Sequence, residues 1–230
     1  MTGAVRWVGV VVPARDEEVL LPAALTALDV ARREVWRRHR VTVDVAVVLD
    51  GCRDGTPAVV AGHPWVVPVR GHGCGVGAAR ATGSDELLKR HRHEPFDAGW
   101  LATTDADSRV PADWLCVQVA LAGLGSDVVL GTVRVDDWSG HPPAVERTWR
   151  ETYTSGDGHG HVHGANVGLR VSAYLDVGGF AAVERGEDVA LAAAVAHRAV
   201  TRTGSIPVLT SGRTRGRAAG GFADHLACLA

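Results

Sequence analysis

The sequence predicts an α/β domain, a mostly parallel sheet with helices on both faces. Three observations carry this. Short valine-rich runs alternate with helix-patterned segments through the first half of the chain. The runs show no polar alternation, as expected of strands buried on both faces. Acidic or glycine-rich turns follow them, at the edge where such sheets bind ligands.

The first strand is predicted at Trp7-Val8-Gly9-Val10-Val11-Val12-Pro13. Leu20, Leu21, Ala24, Leu25 and Leu28 then recur at helical spacing, and the helix should end at the basic cluster Arg37-Arg38-His39-Arg40, where cations suit a C-terminus. A second strand is expected at 41–49, a short helix from Asp54-Gly55-Thr56, a third strand at 65–69, and a glycine-rich loop at 71–77 leading into a helix through Leu88. A fourth strand, 100–104, ends on Asp105-Ala106-Asp107, and Pro111 opens a helix to 124. Beyond it the pattern loosens. Strands are predicted at 128–133 and 206–209, helices at 144–153 and 187–197, and a Gly/His loop at 155–164. No linker or repeat divides residues 1–230, so one domain is expected.

Composition narrows the function. With a net charge of -2 and no basic footprint outside the C-terminal tail, nucleic acid is not an expected partner. Lys89 is the only lysine, which excludes a G-x-x-x-x-G-K-[ST] phosphate loop. Cys52, Cys74, Cys116 and Cys228 form no C-x-x-C pair, so a zinc site on paired cysteines is unsupported. The N-terminal residues lack a signal-peptide pattern and the apolar runs are too short to span a bilayer, so a cytoplasmic location is expected.

Asp50 and the Asp105/Asp107 pair sit at predicted strand ends, the strongest pointer to a site. Two carboxylates two residues apart can hold a hard divalent cation that shares its remaining positions with water and phosphate oxygens. A solvated loop pair is the plain alternative for any D-x-D taken alone.

The ordered set Val11-Val12-Pro13-Ala14-Arg15-Asp16-Glu17-Glu18, Val48-Leu49-Asp50-Gly51-Cys52-Arg53-Asp54-Gly55-Thr56 and Asp105-Ala106-Asp107 resembles family 2 of the glycosyltransferases. Further matches follow in family order: Gly77-Ala78-Ala79-Arg80, Gly164-Ala165-Asn166 running to Arg170, Val177-Gly178-Gly179-Phe180 and Gly186-Glu187-Asp188. The resemblance implies the GT-A fold, a Rossmann-like sheet with a nucleotide-sugar-binding half (1–107) and an acceptor-binding half (108–230). It implies transfer of a sugar from a nucleotide diphosphate donor to an acceptor hydroxyl, with inversion and a Mg or Mn cation.

The roles it implies are specific. Pro13, Ala14, Arg15 and Glu17 would line base and ribose, Asp50 would accept from the base, and Arg80 would lie near the diphosphate. Asp105 would contact ribose or the metal sphere, Asp107 would ligate the cation, and Asp188 matches the general base, with Glu187 beside it on the acceptor side. Arg213 and Arg217, in Ser211-Gly212-Arg213-Thr214-Arg215-Gly216-Arg217, would form a flap over the diphosphate, to which guanidinium forks are suited, the plain alternative being a solvated basic loop. His163 and Asn166 are expected near the acceptor.

Several readings stay open. His159, His161 and His163 alternate and could form a metal cluster or a polar acceptor loop. His225 could complete a metal sphere or be a surface histidine. Trp138 and Trp149 are the tryptophans to test for acceptor stacking. Gly73-x-Gly75-x-x-Ala78 follows the third strand rather than the first, which argues against a dinucleotide fingerprint. The rival functions are a nucleotidyltransferase and a non-catalytic nucleotide-sugar binder.

Overall fold

In the computed structural model, residues 3–181, 183, 185–217 and 220–229 are described. They form an 8-stranded sheet in the order β3-β2-β1-β4-β7-β6-β8-β5. Its strands are β1 Trp7–Ala14, β2 Thr42–Leu49, β3 Val66–Arg70, β4 Gly99–Thr103, β5 Ser108–Arg109, β6 Val128–Val135, β7 Val167–Arg170 and β8 Val200–Thr210. The helices are α1 Leu21–His39, α2 Thr56–Ala61, α3 Val76–Arg90, α4 Trp114–Gly123, α5 Pro143–Thr152, α6 Val171–Asp176, α7 Glu187–Ala194 and α8 Phe222–Ala227. Strands β3, β2, β1 and β4 are parallel, while β7 runs against both of its neighbours, β4 and β6.

Strand alternation divides the core in two. Val8, Val10 and Val12 of β1 face a cluster with Leu21, Leu25 and Leu28 of α1 and Trp114 and Leu115 of α4. Val11 points the other way, to Leu87 of α3, Leu101 and Leu169. Each fully buried side chain of this size contributes about 1.5–3 kcal/mol, so a strand apolar on both faces must be covered on both. Close approach of α3 explains one glycine in its interior. A Cβ on Gly83 would lie 2.5 Å from Val11 Cγ1 and 2.8 Å from Val48 Cγ2.

Helix α1 begins with a proline in its first turn and ends with Arg37, Arg38 and His39 in its last. Arg40 closes it in the left-handed conformation (φ 56), its N–H donating to Trp36 O at 3.0 Å.

The second half holds elements that the sequence pattern does not announce. Strand β7 is only four residues long and contains a glycine and an arginine, so no period marks it. Arg170 is nevertheless buried, donating to Gly3 O (3.0 Å), Asp97 O (2.8 Å) and Ala122 O (2.6 Å), with Asp127 3.5 Å away. Carbonyls near the ends of three separate elements are thereby satisfied by one cation. Strand β8 extends well beyond the expected 206–209, pairing along β6, and its end pairs with β5. Among the described residues, no helix is long and apolar enough to cross a membrane.

Candidate active site

The parallel strands deliver the sequence motifs to one edge of the sheet. The loops after β1 and β2 are stitched together there. Thr56 Oγ1 accepts the Glu17 N–H (2.7 Å), Asp16 Oδ1 accepts the Arg53 N–H (2.7 Å), and Glu18 Oε2 accepts the Gly55 N–H (2.6 Å). Asp16 itself is left-handed (φ 54), a turn that an aspartate tolerates better than most residues. Ala14 is buried and its carbonyl accepts the Asp50 N–H at 2.9 Å, Pro13 is half-buried, and Arg15 projects into solvent.

Asp50 lies beneath the glycine-rich loop. Its two oxygens accept the N–H groups of Gly73 (2.6 Å) and Gly75 (3.2 Å). The carboxylate expected to meet a base is thus engaged in holding the loop that opens α3. Beside it lies a cleft of about 670 Å³ lined by Leu49, Cys52, Pro57, Arg70 and His72.

Arg80 joins the two acidic motifs. Its guanidinium donates to Asp105 Oδ1 at 2.6 Å and to Glu187 Oε1, reaching 25 residues one way and 107 the other. Only 3% of Arg80 is exposed, and its guanidinium, expected near the diphosphate, is engaged by these two carboxylates. Glu187, also expected on the acceptor side, is buried as the counter-ion of Arg80. Gly164 packs its Cα against this guanidinium, where a side chain would collide.

Asp188 is half-buried, and its Oδ2 accepts the Gly164 N–H at 2.6 Å. Among the described residues no cation forms a direct ion pair with this carboxylate, although the Arg80 charge is close enough to attract it. Asn166, expected near the acceptor, is a buried structural amide. It is 1% exposed, its Oδ1 accepts from Trp114 Nε1, and its amide donates to Thr132 O and Ile206 O, all at 2.8 Å. No polar atom of its side chain remains for an acceptor.

The C-terminal tail lies on the first motif. Arg213 donates to Glu17 Oε1 at 2.8 Å and to Asp107 Oδ2, and Arg217 donates to Asp16 O at 2.8 Å. Glu17 is pushed up to about 7, chiefly by burial, with Arg213 opposing and the Asp107 charge adding to the rise. Burial also raises Asp105, against the pull of Arg80 and with help from Asp107 and Asp188; a third of its side chain (34%) still reaches solvent, which tempers the effect. Negative charge is therefore crowded here.

That crowding bears on a metal. Asp105 and Asp107 supply hard oxygen donors, and the Arg213 guanidinium already places a cation on Asp107. Among the described residues no three ligating side chains converge, so a cation here would take its other ligands from water and phosphate. With that division the residues present fit the group.

Among the described residues the histidines of the loop do not converge on a common point, and each Nε2 has a protein partner. His159 Nε2 lies 3.1 Å from Leu130 O, His161 Nε2 accepts the Thr154 N–H (3.2 Å), and His163 Nε2 is 2.9 Å from the Tyr153 hydroxyl. His225 stands against Trp149 and Phe222 rather than at Asp107. Trp149 is buried at 7% exposure and serves the core, while Trp138 is half-buried beside it. Tyr153 is the site residue that the sequence did not flag; it is one of only two tyrosines, and nothing in its neighbours marks it.

Comparison with solved structures places this geometry among known ones. A mannosyltransferase, PcManGT from Pyrobaculum calidifontis in complex with GDP-Man and Mn2+, superposes with a TM-score of 0.63 at 21% identity, over 91% of this chain and 58% of that one. The 1-349 segment of TarS from S. aureus gives 0.62 at 16%, over 88% and 60%. Glucosyl-3-phosphoglycerate synthase from Mycobacterium tuberculosis with Mn2+ and UDP-Glc gives 0.55 at 14%, over 97% and 75%. The chain thus spans about three fifths of the first two, and at these identities the likeness is one of fold. Comparison with curated proteins by sequence finds no match. The family model for glycosyl transferase family 2 matches residues 9–175, most of the sheet and both aspartate-bearing loops of the first half, and the chain belongs to that family.

Proposed function

We propose that this protein transfers a sugar from a nucleoside diphosphate donor to an acceptor hydroxyl, with inversion and with a divalent cation. One observation carries the reading. Arg80 bonds Asp105 of the first acidic motif and Glu187 of the second, which brings together the immediate neighbours of Asp107 and Asp188. A displacement at an anomeric carbon needs that pairing, with charge control on the leaving side and a proton acceptor on the attacking side.

Asp107, assisted by Asp105, would hold the cation, which when bound supplies Lewis-acid stabilisation of the departing diphosphate. Asp188 accepts the proton of the acceptor hydroxyl as its oxygen bonds to the anomeric carbon and the bond to the diphosphate oxygen breaks. The Gly164 N–H fixes the carboxylate rotamer for that step. Attack opposite the leaving group inverts the centre. Arg213, bonded to Glu17 and Asp107, and Arg217, bonded to the Asp16 carbonyl, would exchange those partners for phosphate oxygens.

A thermal-shift series with UDP-, GDP- and dTDP-sugars, with and without Mn²⁺, tests the donor half by mass action. Stabilisation that requires both nucleotide and cation is expected. Pyrophosphate release from a nucleoside triphosphate and a sugar phosphate would instead establish a nucleotidyltransferase, and donor binding without hydrolysis or transfer a binding protein.

A further inference from the structure

Rings gather on the loop that leads to Gly164, the residue whose N–H meets Asp188. Trp149 stacks on Tyr153 with centroids 4.1 Å apart, and Tyr153 stacks on His161 at 4.1 Å. The Tyr153 hydroxyl accepts the Val133 N–H at 2.9 Å and lies 2.9 Å from His163 Nε2. Burial holds the phenol protonated, its pKa pushed up to about 12. A hydroxyl has a single hydrogen, and among the described residues His163 Nε2 is the acceptor within its reach. Nε2 is therefore bare. The hydrogen of the neutral ring sits on Nδ1.

Nothing among the described residues takes that Nδ1–H, and unlike His159 Nδ1 it is not sealed from solvent. His163 directly precedes Gly164, whose N–H holds Asp188. A donor on the attacking oxygen itself would weaken its nucleophilicity, so its useful target is a second oxygen of the acceptor. Burial keeps the imidazole uncharged, its pKa lowered to about 3. An uncharged N–H among aromatic rings suits a neutral hydroxyl, and the guanidinium bonded to this loop, that of Arg202, is engaged by the His159 and His161 carbonyls (3.3 and 3.0 Å).

We propose that Tyr153 is a positioning residue that locks His163 in its Nδ1–H tautomer, and that this N–H binds a hydroxyl of a neutral polyol acceptor beside the one Asp188 deprotonates. The proposal rests on the glycosyl-transfer reading above, and its test has one arm that does not.

In that arm, long-range 1H–15N spectra of ring-labelled protein report the tautomer of each histidine. His163 should be Nδ1–H in the native protein and should lose that bias in Tyr153→Phe; an Nε2–H ring, or one unmoved by the substitution, overturns the lock. In the second arm, transfer is measured to methyl glycosides, inositol and glycerol, and to their phosphorylated counterparts. Tyr153→Phe should raise KM for the neutral acceptors about tenfold, the worth of one well-placed hydrogen bond, with a smaller change in kcat.

His163→Asn keeps an amide donor near the Nδ1 position, whereas His163→Gln moves it toward Nε2. Asparagine should therefore retain acceptor affinity and glutamine lose it. In the asparagine background, where no tautomer exists, Tyr153→Phe should cost nothing further. A Tyr153→Phe penalty that persists there marks a purely structural role and overturns the proposal. Preference for phosphorylated acceptors, or donor hydrolysis by the native enzyme with transfer to none of the panel, overturns the polyol assignment. Absence of any donor turnover sinks the transferase reading instead, and the spectra still decide the lock.

Discussion

The Gly164 N–H donates to Asp188 Oδ2 at 2.6 Å, linking the loop before β7 to the first turn of α7. This contact orients the acid and, unlike a direct ion pair, leaves it able to take a proton, as a general base must. Asp188→Asn preserves the acceptor oxygen for Gly164 and removes basicity. Transfer should fall by roughly 10²- to 10⁴-fold with nucleoside diphosphate affinity kept. Nearly normal turnover would move the base elsewhere.

Asp107 stands at the start of β5 with its carboxylate on Arg213 and 19% of its side chain exposed. Asp107→Ala should leave the fold intact and abolish the cation dependence of nucleotide binding. Calorimetry with a nucleoside diphosphate, with and without Mn²⁺, gives the answer. An unchanged cation effect would sink the assignment.

Arg213 and Arg217 each hold the acidic loop through one or two contacts, and residues 214–217 are exposed. On the flap reading each contributes about 1.5–3 kcal/mol to a bound diphosphate. Trypsin should cut the tail more slowly once nucleoside diphosphate and Mn²⁺ are present, and Arg213→Ala should weaken nucleotide binding. Equal cutting rates in both states would show that the tail is a bystander.

Acid should find the His163 wall. Burial lowers this histidine from 6.5 to about 3, so between those values the unfolded chain binds the extra proton. The stability it contributes is present above pH 6.5 and is lost as pH falls toward 3. His163→Phe should therefore flatten the decline in melting temperature between pH 7 and pH 4.5. A slope identical to that of the native protein would refute the assignment of this titration to His163.

Asn166→Ala should be a stability variant first. It strands the Trp114 N–H and the carbonyls of Thr132 and Ile206 in the core, at about 1–3 kcal/mol for each group left unpaired. Chemical denaturation should show a loss of about 3 kcal/mol or more. A loss under 1 kcal/mol would mean that water replaces the amide.

The first half of the fold was legible because β1, β2, β3 and β4 are apolar runs closed by turn residues, and a parallel sheet needs no more than that. The second half was less so. Strand β7 carries Gly168 and Arg170, and only the carbonyls of Gly3, Asp97 and Ala122, remote in sequence, make that arginine a core residue. The motifs showed where the acids stand but not how they pair. That Arg80 faces inward and that Glu187 rather than Asp188 receives it depends on a single residue's step of helix phase at the start of α7. Tyr153 was invisible for a related reason, since its hydroxyl finds partners on two other segments, at Val133 and His163.

The pairing of β5 with β8 has a bearing on synthesis. Ser108 Oγ donates to Thr210 Oγ1 at 2.9 Å, 102 residues along the chain, and each of these strands leads directly to one member of the Asp107–Arg213 pair. A nascent chain can complete β1 to β4 while its last third is still in the ribosome, yet Asp107 then has no neighbouring strand to set its direction. Closing so long a loop costs entropy before any contact rewards it. The Asp107–Arg213 contact therefore forms late, once β8 has been made.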